Sequence, residues 1–89
     1  MKIALLIGNI ATLATTISAE SKTDVFFHYN ARCKFFNVSV YNSGWHSEAK
    51  ADEDFEIWQD EGEAKAIAEF ESLKSHLMNI YQGIKQEVA

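Results

Sequence analysis

Asp24-Val-Phe-Phe-His-Tyr29 and Lys34-Phe-Phe-Asn-Val-Ser-Val-Tyr41 are two short runs rich in aromatic and β-branched residues, separated by Asn30-Ala31-Arg32-Cys33. Such a composition suits a pleated, half-buried surface, and the spacer is a hairpin's length. The pair predicts two antiparallel strands. Asn42-Ser43-Gly44 then supplies residues that tolerate positive φ, which predicts a second turn and a third strand from Trp45 to about Ala51. Phe55-Glu-Ile-Trp58 is open between a continuation of that strand, a fourth edge strand and a turn into the last helix.

Alternation with a period of two sorts the side chains of these strands onto two faces. Phe36, Val38 and Val40, with Val25 and Phe27, fall on one face, and Phe26, His28, Phe35, Asn37, Ser39 and Tyr41 on the other. The first set is the expected core. Three aromatics in the second set make the outer face a candidate contact surface, for a partner or for a second copy in a homodimer.

Helical periodicity brackets the strands. At 100° per residue, Ile3, Leu6, Ile7, Ile10, Leu13, Ala14 and Ile17 share one third of a helical wheel, with Gly8, Asn9, Thr12, Thr15 and Thr16 outside it. Leu5 alone is misplaced. A stripe this one-sided predicts a docked helix from Met1 to Ala19. The alternative is a small secreted or periplasmic protein whose residues 1–19 are a cleaved signal peptide, since Met1-Lys2 precedes an uncharged run with Ile17 and Ala19 at the cleavage positions. A leader, however, requires general hydrophobicity and has no reason to be one-sided. The run also falls short of the ~20 apolar residues that span a bilayer, so no membrane association is expected.

Ala66, Phe70, Leu73, Leu77, Ile80, Tyr81 and Ile84 predict a second amphipathic helix from about Glu61 to Lys85. Two helices around a meander give an α+β class: one two-layer domain over 1–89, with an N-terminal helix, an antiparallel three- to four-stranded meander and a long C-terminal helix.

Charge is concentrated in Glu48 to Glu63. This stretch holds eight of the thirteen acids, Glu48, Asp52, Glu53, Asp54, Glu56, Asp60, Glu61 and Glu63, against a single base, Lys50. It is more negative than the whole chain's −5. Asp60, Glu61 and Glu63 have a structural use at the start of the last helix, where the macrodipole favours carboxylates. The remainder points to a basic protein partner, with Tyr41, Trp45 and Trp58 as apolar anchors beside Glu48, Asp52, Glu53, Asp54, Glu56, Asp60 and Glu61. Eight Lys plus Arg and a pI near 5.0 argue against direct binding of nucleic acid, whose affinity comes from clustered basic side chains.

No reaction is written in the chain. His28, His46 and His76 lie on different predicted elements without metal-ligand spacing, and Asp52, Asp54 and Glu56 lead to Ile57 where a calcium loop needs Gly. Asn37-Val38-Ser39 fits a glycosylation sequon but lies within a strand. Cys33 is the only cysteine, so no internal disulfide forms and a reducing, cytoplasmic setting is expected. No nucleophile, base and orienting group can be assembled, so no enzymatic activity, cofactor or metal is expected.

In layout the whole chain resembles the small acidic proteins that phages and other mobile elements direct against bacterial defence systems, anti-CRISPR proteins in particular. The resembling features are a length under 100 residues, one α+β unit, the Val38-Ser39-Val40-Tyr41-Asn42-Ser43-Gly44 hairpin, the acidic segment and the long final helix. The resemblance implies a stoichiometric inhibitor that occupies a basic surface of its target, often one meant for nucleic acid. It assigns no role to an individual residue.

Overall fold

The computed structural model describes the backbone of residues 2–88 and the side chains of residues 2–86. The order is α1 (Lys2–Glu20), β1 (Asp24–Asn30), β2 (Phe35–Tyr41), β3 (Glu53–Trp58), a short 3-10 turn (Gln59–Glu61) and α2 (Glu63–Val88). Three antiparallel strands in the order β1-β2-β3 form one sheet, and both helices pack on one side of it. This is the expected two-layer α+β fold. Met1, which the expected first helix included, lies outside the described residues.

The stripe of α1 goes where its spacing predicts. Ile10, Ala14 and Ile17 are fully buried and Leu6 nearly so, meeting Phe36, Val38 and Val40 of the sheet and Ala66, Phe70, Leu73 and Leu77 of α2. Phe36 and Phe70 meet edge to face, 5.3 Å apart, at the centre of the core. The helices run side by side in the same direction. Lys2 Nζ lies 3.1 Å from a Glu71 carboxylate near one end, and Tyr81 donates to Glu20 at 3.3 Å near the other. By length and mean hydropathy, 1.5 over its most apolar window, α1 also passes for a membrane span. Its Leu6, Ile10, Ala14 and Ile17 nevertheless form part of this core, with Ile3, Ile7 and Leu13 packed against it and Leu5 exposed.

Two expectations are corrected. Trp45 to Ala51 is loop, and the third strand is Glu53–Trp58, which takes in Phe55-Glu-Ile-Trp58. The reason lies at the base of the loop, where Asn42 N–H donates to Asp52 Oδ2 and Asp52 N–H to Val40 O, both at 2.8 Å. Pairing with β2 therefore resumes only at Glu53, opposite Val40. The second correction is Phe27, which faces the helix side but stays 44% exposed, as does Tyr29 at 40%. Both lie on the outermost strand, beyond the reach of the helices.

Candidate protein-interaction face

The β1-β2-β3 register sets the outer face. Phe26 stands opposite Ser39, His28 opposite Asn37, and Ser39 and Asn37 opposite Asp54 and Glu56; Asn30, Phe35 and Trp58 close one end. Aromatic clusters occupy both ends of the face. At one, Phe26 meets Tyr41 and Trp45 edge to face at 5.6 and 6.2 Å. At the other, Phe35 and Trp58 lie 4.3 Å apart. Between them Asp54 Oδ1 accepts hydrogen bonds from Asn37 Nδ2 at 2.7 Å and Ser39 Oγ at 2.8 Å, a polar strap joining β2 to β3.

Trp45 reaches this face from the loop, and a local device holds it there. Gly44 has φ +92°, and a side chain on it would stand 3.1 Å from the Lys22 carbonyl oxygen. That close approach brings Thr23 Oγ1 to the Asn42 carbonyl at 3.2 Å and lets Trp45 N–H donate to Asp24 Oδ2 at 2.8 Å. The indole is 53% exposed, and Phe26, Ser39, Tyr41 and Trp45 line an open hollow of about 300 Å³. Gly44→Ala should cost about 1–3 kcal/mol, because it forces a side chain into both a disfavoured φ and an occupied space. A thermal melt checks this, and the midpoint should fall by several degrees.

The acidic segment does not form one surface. Glu48 is exposed in a turn of the loop between β2 and β3 and has no strand position on the face. Asp52 closes the loop base, and Asp54 serves the polar strap. Glu53 faces the helices, where its carboxylate lies 2.8 Å from His76 Nε2. His76, which helical periodicity places on the solvated side of α2, is half-buried there against Phe55. Asp60 and Glu61 lie in the 3-10 turn. Glu61 pairs with Lys65 and, by hydrogen bonding to it, holds that ammonium above its ordinary pKa.

Of the sequence-predicted contact residues, the outer face thus brings together Tyr41, Trp45, Asp54, Glu56 and Trp58. Asp52 stands at its margin, while Glu48, Glu53, Asp60 and Glu61 lie elsewhere. Phe26 and Asp24 complete the face. Strand alternation indicates Phe26, but only the folded loop reveals Asp24 as the anchor of Trp45. Among the described residues no group of His, Cys, Asp and Glu is arranged to hold a metal ion. No family model, curated protein or solved structure matches the chain.

Proposed function

We propose that the chain is a non-catalytic binding module whose outer sheet face seats against a basic protein surface. One observation carries this reading. The face is uncovered, bears Asp24, Asp54 and Glu56, presents exposed Phe26, Trp45 and Trp58, and has no Lys or Arg at any of its strand positions. Carboxylates steer an encounter with a positive surface and fix its orientation, and desolvated aromatic anchors slow dissociation. A target surface built for nucleic acid has the matching charge. In its concrete form, therefore, the reading is a stoichiometric inhibitor of the anti-CRISPR kind, acting by competition.

The test uses the tagged chain as bait in a bacterial host lysate. The retained partner should be basic, and its retention should weaken as salt shortens the Debye length from ~10 Å at 0.1 M to ~3 Å at 1 M. Glu56→Lys reverses a carboxylate of this face that makes no side-chain hydrogen bond among the described residues, so the fold should be unaffected. Affinity should fall about tenfold, the equivalent of ~1.4 kcal/mol. A salt-insensitive complex, or one that tolerates Glu56→Lys, contradicts the electrostatic part of the reading.

A further inference from the structure

The two edges of the sheet are unlike, and the difference points to a partner that the outer face does not require. Hydrogen bonds at three places fix which backbone groups each edge offers. Val25 N–H donates to Ser18 Oγ at 2.9 Å and Val25 O accepts from the same hydroxyl at 3.4 Å, so both groups point away from β2. Val40 O accepts from Asp52 N–H and Lys34 O from Gln59 N–H, so the even-numbered positions of β2 turn toward β3. In an antiparallel ladder these directions alternate strictly. Val25, Phe27 and Tyr29 therefore present the outward groups of β1, and Asp54, Glu56 and Trp58 those of β3.

The β3 edge carries Glu53, Asp54 and Glu56, the kind of charge that keeps strand edges from pairing. The β1 edge has no such protection. Its register is unbroken from Asp24 to Asn30, it holds no Pro or Lys, and its one acid, Asp24, sits at the far end. Ser18 satisfies Val25. Among the described residues nothing satisfies the outward N–H and C=O groups of Phe27 and Tyr29, and the rings of both remain 44% and 40% exposed on the helix side.

The structure assigns this edge to a second copy of the chain, paired antiparallel about a two-fold axis at His28. That register sets Phe27 opposite Tyr29 of the other copy, and Tyr29 opposite its Phe27, as the hydrogen-bonded pairs. It uses the unsatisfied backbone groups and leaves Val25 with Ser18. The same axis stacks the four aromatic rings on the helix side, in the space that their present exposure leaves open, where cross-strand aromatic pairs are favourable. The product is a continuous six-stranded sheet with both acidic outer faces on one side and β3 at each protected margin. An isologous pairing of this kind closes on itself and stops at two copies. It is independent of the partner reading, because it uses the strand edge and the helix side.

Three measurements test it on the full chain. Sedimentation should give a dimer at ~100 µM that dissociates on roughly hundredfold dilution, following mass action. Hydrogen exchange at the Phe27 and Tyr29 amides should slow with concentration, while the Phe26 and His28 amides, bonded to β2, stay protected throughout. The register is checked covalently. His28→Cys with Cys33→Ser faces its own copy across a non-hydrogen-bonded pair about 4.5 Å apart at Cα, within disulfide reach, and should oxidise to a covalent dimer. Phe26→Cys with Cys33→Ser faces Asn30 of the other copy and should not. Phe27→Lys should give a monomer that still unfolds cooperatively, with a midpoint lowered by the lost contact with Phe36 and independent of concentration. The inference is overturned by a monomer at ~100 µM, by a dimer that survives Phe27→Lys, or by Phe27 and Tyr29 amides whose exchange ignores concentration. His28→Cys with Cys33→Ser that fails to cross-link overturns it too.

Discussion

Ile10→Asp should abolish cooperative unfolding. Ile10 is fully buried on α1, packed in the core with Ala14, Ile17 and side chains of the sheet and α2. A carboxylate there either stays ionised without a partner or takes up a proton at the expense of native stability, at a cost of several kcal/mol. Lost packing of the isoleucine adds ~2–5 kcal/mol. A domain of this size holds only about 5–15 kcal/mol in total, so the sum removes most or all of it. Leu5→Asp is the matched control: it lies on the same helix but is 64% exposed, and it should melt like wild type. Circular dichroism on heating reads both. If Ile10→Asp melts like wild type, α1 does not complete the core, and a leader function for residues 2–20 becomes the better reading of that segment.

The parts of this molecule that are legible in its sequence are those in which one periodic signal acts alone. The stripe from Leu6 to Ile17 has a single use, to meet a core, and it does. β1 and β2 are legible for the same reason, since alternation places Val25, Phe36, Val38 and Val40 inward without competition. The third strand begins later than its residues predict because Asn42-Ser43-Gly44 announces a reversal but not the length of the loop beyond it. Asp52 decides that length, since its carboxylate closes the loop onto Asn42 and its amide onto Val40, ten and twelve residues back. The acidic segment misleads in a similar way. Charge adds up along a sequence, whereas a strand sends successive carboxylates to opposite faces, Glu53 to His76 and Asp54 to Asn37 and Ser39. Phe27 shows the limit of alternation itself, which assigns a face and says nothing about whether the covering layer extends to the last strand.

Binding should depend most on the cluster at the loop end of the outer face. Phe26→Ser with Trp45→Ser removes two side chains that are 49% and 53% exposed, so the loss of two edge-to-face contacts should lower stability by ~1–3 kcal/mol and leave the fold intact. The Trp45 backbone bond to Asp24 survives, and the loop keeps its seat. Anchors of this type each contribute ~2 kcal/mol or more when desolvated at an interface, so the double variant should bind its basic partner at least ~100-fold more weakly. Met78→Ser provides the comparison, because Met78 is exposed at 39% on α2, in the opposite layer. Titration of the captured partner with wild type, the double variant and Met78→Ser is the most direct measurement: the account predicts the large loss for Phe26→Ser with Trp45→Ser and wild-type affinity for Met78→Ser. The reverse pattern, with the double variant binding fully and Met78→Ser failing, would contradict the assignment of function to the outer face.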